Sequence, residues 1–187
     1  MKVSKGEHGY IKNRKKAQLL KSILMFGIAA AIYVIGLALN KWQNNNIFTV
    51  IAALSVLPAA KMLVSFIVLA PYHTVEDAKY QKLIAATKEE DIVYSDVVFT
   101  SEQKVMNLAI LVIVGDKAIG LTGRKKENRD YIESYLNNGF NVRCFGLKAK
   151  IFEDEESFLH LMKKVERREV SKESRVEWEA YLKSLMV

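Results

Sequence analysis

The sequence contains one cysteine, two prolines and, between Glu7 and Glu76, no acidic residue. A single cysteine, Cys144, excludes a disulfide within the chain and is typical of a protein in a reducing compartment. We expect Cys144 to be a buried structural thiol on a strand over residues 141–145. The three histidines are isolated and none has a partner at metal-ligand spacing, so we predict neither a metal ion nor a cofactor.

The region without acidic residues contains two long apolar runs. Residues 22–39 carry no charge, residues 47–70 carry only Lys61, and a polar insert over residues 40–46 separates them. A bilayer core about 30 Å thick needs roughly 20 helical residues, so both runs are long enough to span it. A helix of this length on the surface of a soluble protein would show a polar stripe. We therefore predict a transmembrane hairpin over residues 22–70, with the insert as an external turn.

The net charge of +7 is concentrated beside these apolar runs. Residues 1–21 contain seven Lys and Arg against one Glu, whereas residues 72–187 contain nineteen Lys and Arg against twenty Asp and Glu. This distribution argues against a nucleic-acid partner. Because basic residues resist translocation, we predict a multi-pass inner-membrane protein of bacterial type with both termini in the cytoplasm. Residues 1–21 then form a basic cytoplasmic arm that can hold anionic lipid headgroups through Lys12, Arg14, Lys15 and Lys16.

Lys61 is the one charge inside the predicted spans. An ionisable group at membrane depth indicates an ion path or a contact with an acidic partner. The alternative is that the side chain extends toward the cytoplasmic headgroups, since Lys61 lies nine residues before Ala70. We favour this second interpretation.

Beyond the hairpin, we predict a linker helix within residues 71–90, capped by Thr74, and a cytoplasmic α/β domain over residues 91–187. Apolar runs, turn residues and capping residues define the elements of this domain. The predicted strands cover residues 92–100, 105–114, 117–122 and 141–145. The predicted helices cover residues 126–137 (ended by Asn138-Gly139), 155–168, and a last helix opened by a capping box at Ser174 and Glu177. We describe the whole as an α/β sandwich in the order ββαβα with a C-terminal helix.

Four basic residues crowd the start of the first helix of this domain: Arg124, Lys125, Lys126 and Arg129. Basic side chains oppose the dipole at a helix N-terminus, so a negative group is expected to compensate. A phosphate, a lipid headgroup, or the neighbouring Glu127 and Asp130 could do so. The acidic residues of the domain are too dispersed to form an acid–base pair, and we predict no catalytic residue.

The order of elements over residues 91–165 resembles a restriction-endonuclease-like domain of the nuclease-related kind, which is attached to membrane helices in some proteins. The resemblance rests on a strand, a second apolar strand, a turn, a short third strand and then helix–strand–helix, with Tyr131 and Leu136 in the helix. In that family an Asp on the second strand and an acid-x-Lys pair on the third hold the metal ion for phosphodiester cleavage. The corresponding positions here are Asn107, Gly120 and Thr122. The resemblance therefore implies a degenerate domain without nuclease activity.

These features predict a membrane-anchored binding or scaffolding protein whose α/β domain recruits or regulates a protein partner, or assembles with copies of itself. The alternative is a membrane-anchored enzyme that acts on a phosphate-bearing or nucleic-acid substrate near Arg124 and Arg129. A third interpretation, a transport accessory, would use Lys61.

Overall fold

The computed structural model describes residues 3–124 and 127–187. The chain divides into two compact units. One, the helical unit, is Lys12–Pro71; the other, the α/β unit, combines the residues up to Ile11 with Tyr72–Val187. The segment before the first apolar run is therefore divided between the two units.

The helical unit contains most of α1 (Tyr10–Leu39) and all of α2 (Ile47–Leu69). By length and composition, both helices could cross a membrane. The first helix begins well before the apolar run at residue 22, because the basic segment ahead of it continues the same helix. Asn46 caps α2, since its side-chain oxygen accepts a hydrogen bond from the main-chain N–H of Thr49 at 3.0 Å.

Small and polar residues bring the two helices of this unit together. A side chain at Gly36 would meet Phe48, so the glycine permits a close approach near the turn. Ser22 donates a hydrogen bond to the carbonyl of Ala59 at 3.3 Å. Lys15 donates to the carbonyl of Ala70 at 2.8 Å, where a positive charge also complements the C-terminal end of the α2 dipole.

The α/β unit is a four-stranded mixed sheet with helices on both faces. Its elements are α3 (Asp77–Ile84), β1 (Ile92–Thr100), β2 (Val105–Val114), β3 (Lys117–Thr122), α4 (Arg129–Arg143), β4 (Lys148–Phe152), α5 (Glu155–Lys164) and α6 (Lys172–Leu185). The strands lie in the order β1-β2-β3-β4; the first three are antiparallel, and β4 is parallel to β3.

Each face of the sheet has its own core. Helices α4 and α6 pack on one face through Leu136, Phe140 and Trp178, whereas α3 and α5 pack on the other through Leu83 and Phe158. The central strand β2 contributes to both cores and is buried along nearly its whole length. Such a continuous apolar strand is expected where both faces of a sheet are covered.

The predicted order ββαβα leaves out one strand. The segment Lys117–Thr122, which the sequence also predicts as a short strand, is a full member of the sheet and pairs with both β2 and β4. The observed order is therefore βββαβα with a C-terminal helix.

The predicted end of α4 and the predicted fourth strand are both wrong. Helix α4 continues through Gly139 to Arg143, and β4 is Lys148–Phe152 rather than residues 141–145. Gly139 is not a helix cap but a point of close approach, because a Cβ there would collide with the hydroxyl of Tyr181 on α6. The chain turns instead at Gly146, which has a φ of 89°.

Two predicted caps and one helix end also differ. The N-cap of α3 is Glu76 rather than Thr74. The N-cap of α6 is Ser171, which accepts from the main-chain N–H of Ser174, so the predicted capping box at Ser174 is wrong. Helix α5 ends at Lys164, four residues before the predicted end.

Glu155, in the first turn of α5, binds Lys82 of α3 at 2.6 Å, and this contact lowers the pKa of the Glu155 carboxyl.

Candidate functional site

Arg124 and Arg129, the predicted anion-binding residues of this helix start that the structure describes, contact different side chains. The guanidinium of Arg124 lies over the ring of Tyr72, 4.5 Å from its centroid. Arg129 binds its neighbour Asp130 at 2.8 Å. Lys125 and Lys126 lie outside the described residues. Asp130, one of the compensating groups considered from the sequence, is the partner of Arg129. Anion binding at this helix start stays a prediction.

The positions that the nuclease resemblance makes equivalent to metal ligands carry no carboxylate. Asn107 is buried and its side-chain amide donates to the carbonyl of Val97 at 3.1 Å. Thr122 is buried where β3 pairs with Leu108, and Gly120 packs against Ile151. Within residues 3–124 and 127–187, no group of three or more His, Cys, Asp or Glu side chains is placed to hold a metal ion.

The basic residues predicted to contact lipid headgroups lie on the first turns of α1. Lys12 and Lys16 are exposed, and Arg14 and Lys15 are half-buried. Lys61 is exposed on α2. Lipid binding by the first four and the role of Lys61 both stay predictions.

Among the residues of the α/β unit that the structure describes, the most exposed large apolar side chain is Phe145, at 85% exposure. Local geometry forces it outward. Cys144 is fully buried at the end of α4, and Gly146 turns the chain with its positive φ, so the residue between them faces away from the core. Val142, one helical turn earlier, is 73% exposed. Sequence reasoning missed this pair because it placed residues 141–145 on a buried strand.

Helix α6 adds a third exposed side chain at the same end of this helical layer. Val176 is 68% exposed. Together with Ala180 it lines a shallow, largely apolar depression whose rim is formed by Lys172, Glu173 and Glu177. Arg175 of α6 donates to the carbonyl of Glu90 just before β1, and Tyr181 of α6 packs against Phe140 of α4, so the start of α6 lies at the same end of the sheet as Phe145. We call Val142, Phe145, Val176 and Ala180 the apolar patch.

Cys144, directly before Phe145 in the chain, is buried and unreactive. Burial, with a smaller contribution from the Glu177 charge, raises the pKa of its thiol to about 11. Since the thiolate is the reactive form, the thiol stays protonated and unreactive at neutral pH. Cys144 is thus a buried structural thiol, as predicted, although it ends a helix rather than lying on a strand.

The apolar patch and Tyr72 lie at opposite ends of the sheet. The hydroxyl of Tyr72 donates to the carbonyl of Val105, the first residue of β2. Phe145 lies three residues before Lys148. The N–H of Lys148 donates to the carbonyl of Asp116, which lies beyond the last residue of β2. With about 3.3 Å per residue, the ten residues of β2 separate the two ends by roughly 30 Å.

A small cavity of about 210 Å³ lies at the same sheet end as the patch. Its polar lining consists of three arginines and three carboxylates: Arg167, Arg168, Arg175, Glu90, Asp91 and Glu169. Arg167 binds both oxygens of the buried Asp91 carboxylate, at 3.0 and 3.2 Å. Arg175 donates to the main-chain oxygen of Glu90. These contacts tie the connection between α5 and α6 to the start of β1, so we assign the cavity a structural role.

Sequence reasoning also missed the role of Asp96. This residue interrupts an apolar strand, has a φ of 54° and is 1% exposed. One carboxylate oxygen accepts from the N–H of Gly9 and the other from the N–H of Val75, both at 3.0 Å. The only signal in the sequence is an acidic residue within an otherwise apolar strand. Nothing local identifies its two partners.

Comparison with protein-family models, curated proteins and solved structures finds no match for this chain. The resemblance to a nuclease-related domain therefore stays a prediction.

Proposed function

We propose that this protein is a membrane-anchored adaptor. In this proposal α1 and α2 span the bilayer as a hairpin, both termini are cytoplasmic, and the α/β unit recruits a protein partner through the apolar patch.

Two features support the membrane topology. The residues up to Ile11 belong to the same compact unit as Tyr72–Val187, so both ends of the intervening segment must lie on the same side of any membrane that it crosses. An even number of spans satisfies this requirement. Residues 1–21 contain seven Lys and Arg and the turn over residues 40–46 contains one, which favours a cytoplasmic location for both ends.

The exposure of Phe145 is the observation that carries the proposed partner binding. A phenylalanine that is 85% exposed, three residues after the 73% exposed Val142, is costly to leave in water and is typical of a surface that a partner covers. The polar rim formed by Lys172, Glu173 and Glu177 is the usual surround of an interface core.

The position of the patch favours a protein over a lipid surface. Tyr72, the first residue of the α/β unit after the helical unit, lies at the far end of the sheet from Phe145. The chain therefore returns from the proposed membrane anchor at that far end. Glu173 and Glu177 at the rim would also be repelled by anionic headgroups.

The test is quantitative co-purification of the full-length protein from its host in mild detergent. We expect a stoichiometric partner with the wild-type protein, a loss of at least about tenfold with Phe145→Ser, and retention with Phe145→Tyr, which keeps the aromatic ring. Partner levels unchanged by Phe145→Ser would contradict the proposal, provided that both variants match the wild type in circular dichroism and yield.

A further inference from the structure

The N-terminal segment, which we define as residues 4–10, contacts the rest of the α/β unit at several points. The carbonyl of Gly6 accepts from the N–H of Ser95 at 2.7 Å. The ring of His8 stacks on Tyr80 at 4.1 Å, and its Nε2 lies 2.7 Å from a carboxylate oxygen of Asp77. The segment therefore covers part of the outer edge of β1, whose main-chain groups would otherwise be unpaired.

The last residues of the chain cover the adjacent part of the same edge. The N–H of Val187 donates to the carbonyl of Val98 at 3.0 Å, and Met186 forms a bridge with Phe99. The N-terminal segment holds these residues in place. Lys5 donates to the carbonyl of Met186 and the hydroxyl of Tyr10 donates to the main-chain oxygen of Val187, both at 2.8 Å.

Asp96 lies at the centre of these contacts. Its carboxylate binds Gly9, where the chain leaves the α/β unit for the helical unit, and Val75, soon after the chain returns. The two points at which the chain crosses between units are thus held by one buried side chain. A buried carboxylate without hydrogen-bond donors would be strongly unfavourable. The two hydrogen bonds stabilise each other because both compensate the same buried charge.

We infer that Asp96 is a latch that couples both ends of the helical segment to the C-terminal residues on the edge of β1. A displacement of either end of that segment breaks a bond to Asp96. Release of Gly9 frees the N-terminal segment, which removes Lys5 and Tyr10 from Met186 and Val187. The edge of β1 then opens along its length. The coupling depends on no partner and stands apart from the proposed adaptor function.

Amide hydrogen exchange of the full-length protein in detergent micelles tests the latch. The substitution Asp96→Asn suits the purpose because Asn tolerates the left-handed backbone at this position and matches Asp in size, yet offers an N–H₂ group to one of the two N–H donors. We expect exchange at Gly9, Ser95, Val75 and Val187 to rise together by about tenfold or more, with Ile113 in β2 unchanged. Asp116→Asn, the same change at a turn of the same sheet, is the control.

A second variant keeps the test informative should Asp96→Asn fail to fold. Tyr10→Phe removes one hydroxyl, whose bond is to Val187, and leaves Asp96 intact. If the latch is cooperative, exchange rises at Gly9 and Ser95 as well as at Val187. The inference would be overturned if exchange in Tyr10→Phe rose at Val187 alone. It would also be overturned if exchange in Asp96→Asn rose only at Gly9 and Val75.

Discussion

Residues 72–187 alone are expected to be less stable than the same residues with the N-terminal segment, by at least about 3 kcal/mol. Tyr10 is 6% exposed, and burial of one such side chain contributes roughly 1.5–3 kcal/mol. Without Gly9, the buried Asp96 carboxylate also loses a hydrogen bond, which costs about 1–3 kcal/mol. For a unit of this size the melting temperature should fall by about 10 °C or more.

The matched control joins residues 3–11 to residues 72–187 through a short Gly-Ser linker in place of the helical segment. A short linker suffices because Gly9 and Val75 bind the same carboxylate. Thermal unfolding by circular dichroism measures both proteins. Equal melting temperatures would mean that the N-terminal segment is not part of the folded α/β unit.

Arg167→Met is expected to destabilise the α/β unit by about 3 kcal/mol. The Asp91 side chain is 2% exposed and Arg167 is 15% exposed, so their pair is shielded from solvent. Loss of the guanidinium leaves the buried Asp91 carboxylate with the N–H of Lys88, at 2.9 Å, as a hydrogen-bond donor. Removal of one partner of a buried pair typically costs about 3–5 kcal/mol. We take the low end because solvent reaches this edge of the sheet, where the side chain of Glu90 is 59% exposed.

The neighbouring arginine provides the control. Arg168 is 64% exposed and lies 3.4 Å from Asp116, so Arg168→Met should change stability by less than about 1 kcal/mol. Urea unfolding of both variants measures the difference. If the two substitutions cost the same, or if Arg167→Met is neutral, the ion pair does not hold the α5–α6 connection in place.

Features encoded by local pattern were predicted well from the sequence. The bounds of β1, β2 and β3 are confirmed, because apolar and β-branched runs bounded by turn residues specify short antiparallel strands. The presence of two long apolar helices is confirmed for the same reason, since uninterrupted apolar runs leave little choice of secondary structure.

Features set by tertiary contact were not predicted. Asn138-Gly139 is a typical helix end, yet α4 continues because Leu136, Phe140 and Cys144 form one buried stripe across it. Of the apolar residues in 141–145, Cys144 belongs to that buried stripe, whereas Val142 and Phe145 are exposed. Because of this error, Phe145 was predicted to be a buried strand residue. In the structure it is the most exposed residue of the apolar patch.

The Asp96 contacts show most clearly which features local sequence patterns do not predict. Gly9 lies 87 residues before Asp96, and Val75 lies 21 residues before it. No helical or strand periodicity relates positions so far apart. The basic arm predicted over residues 1–21 was likewise defined by charge alone, whereas the structure divides it at Ile11 between two units.

The measurement that tests the account most directly is cysteine labelling of the full-length protein in intact spheroplasts. Cys144 is buried and protonated, so it gives little background. We expect a membrane-impermeant maleimide to label Asn45→Cys in the turn at once, and Glu102→Cys in the α/β unit only after the membrane is opened. Labelling of both positions before lysis, or recovery of the protein in the soluble fraction without detergent, would contradict a membrane-anchored adaptor with a cytoplasmic α/β unit.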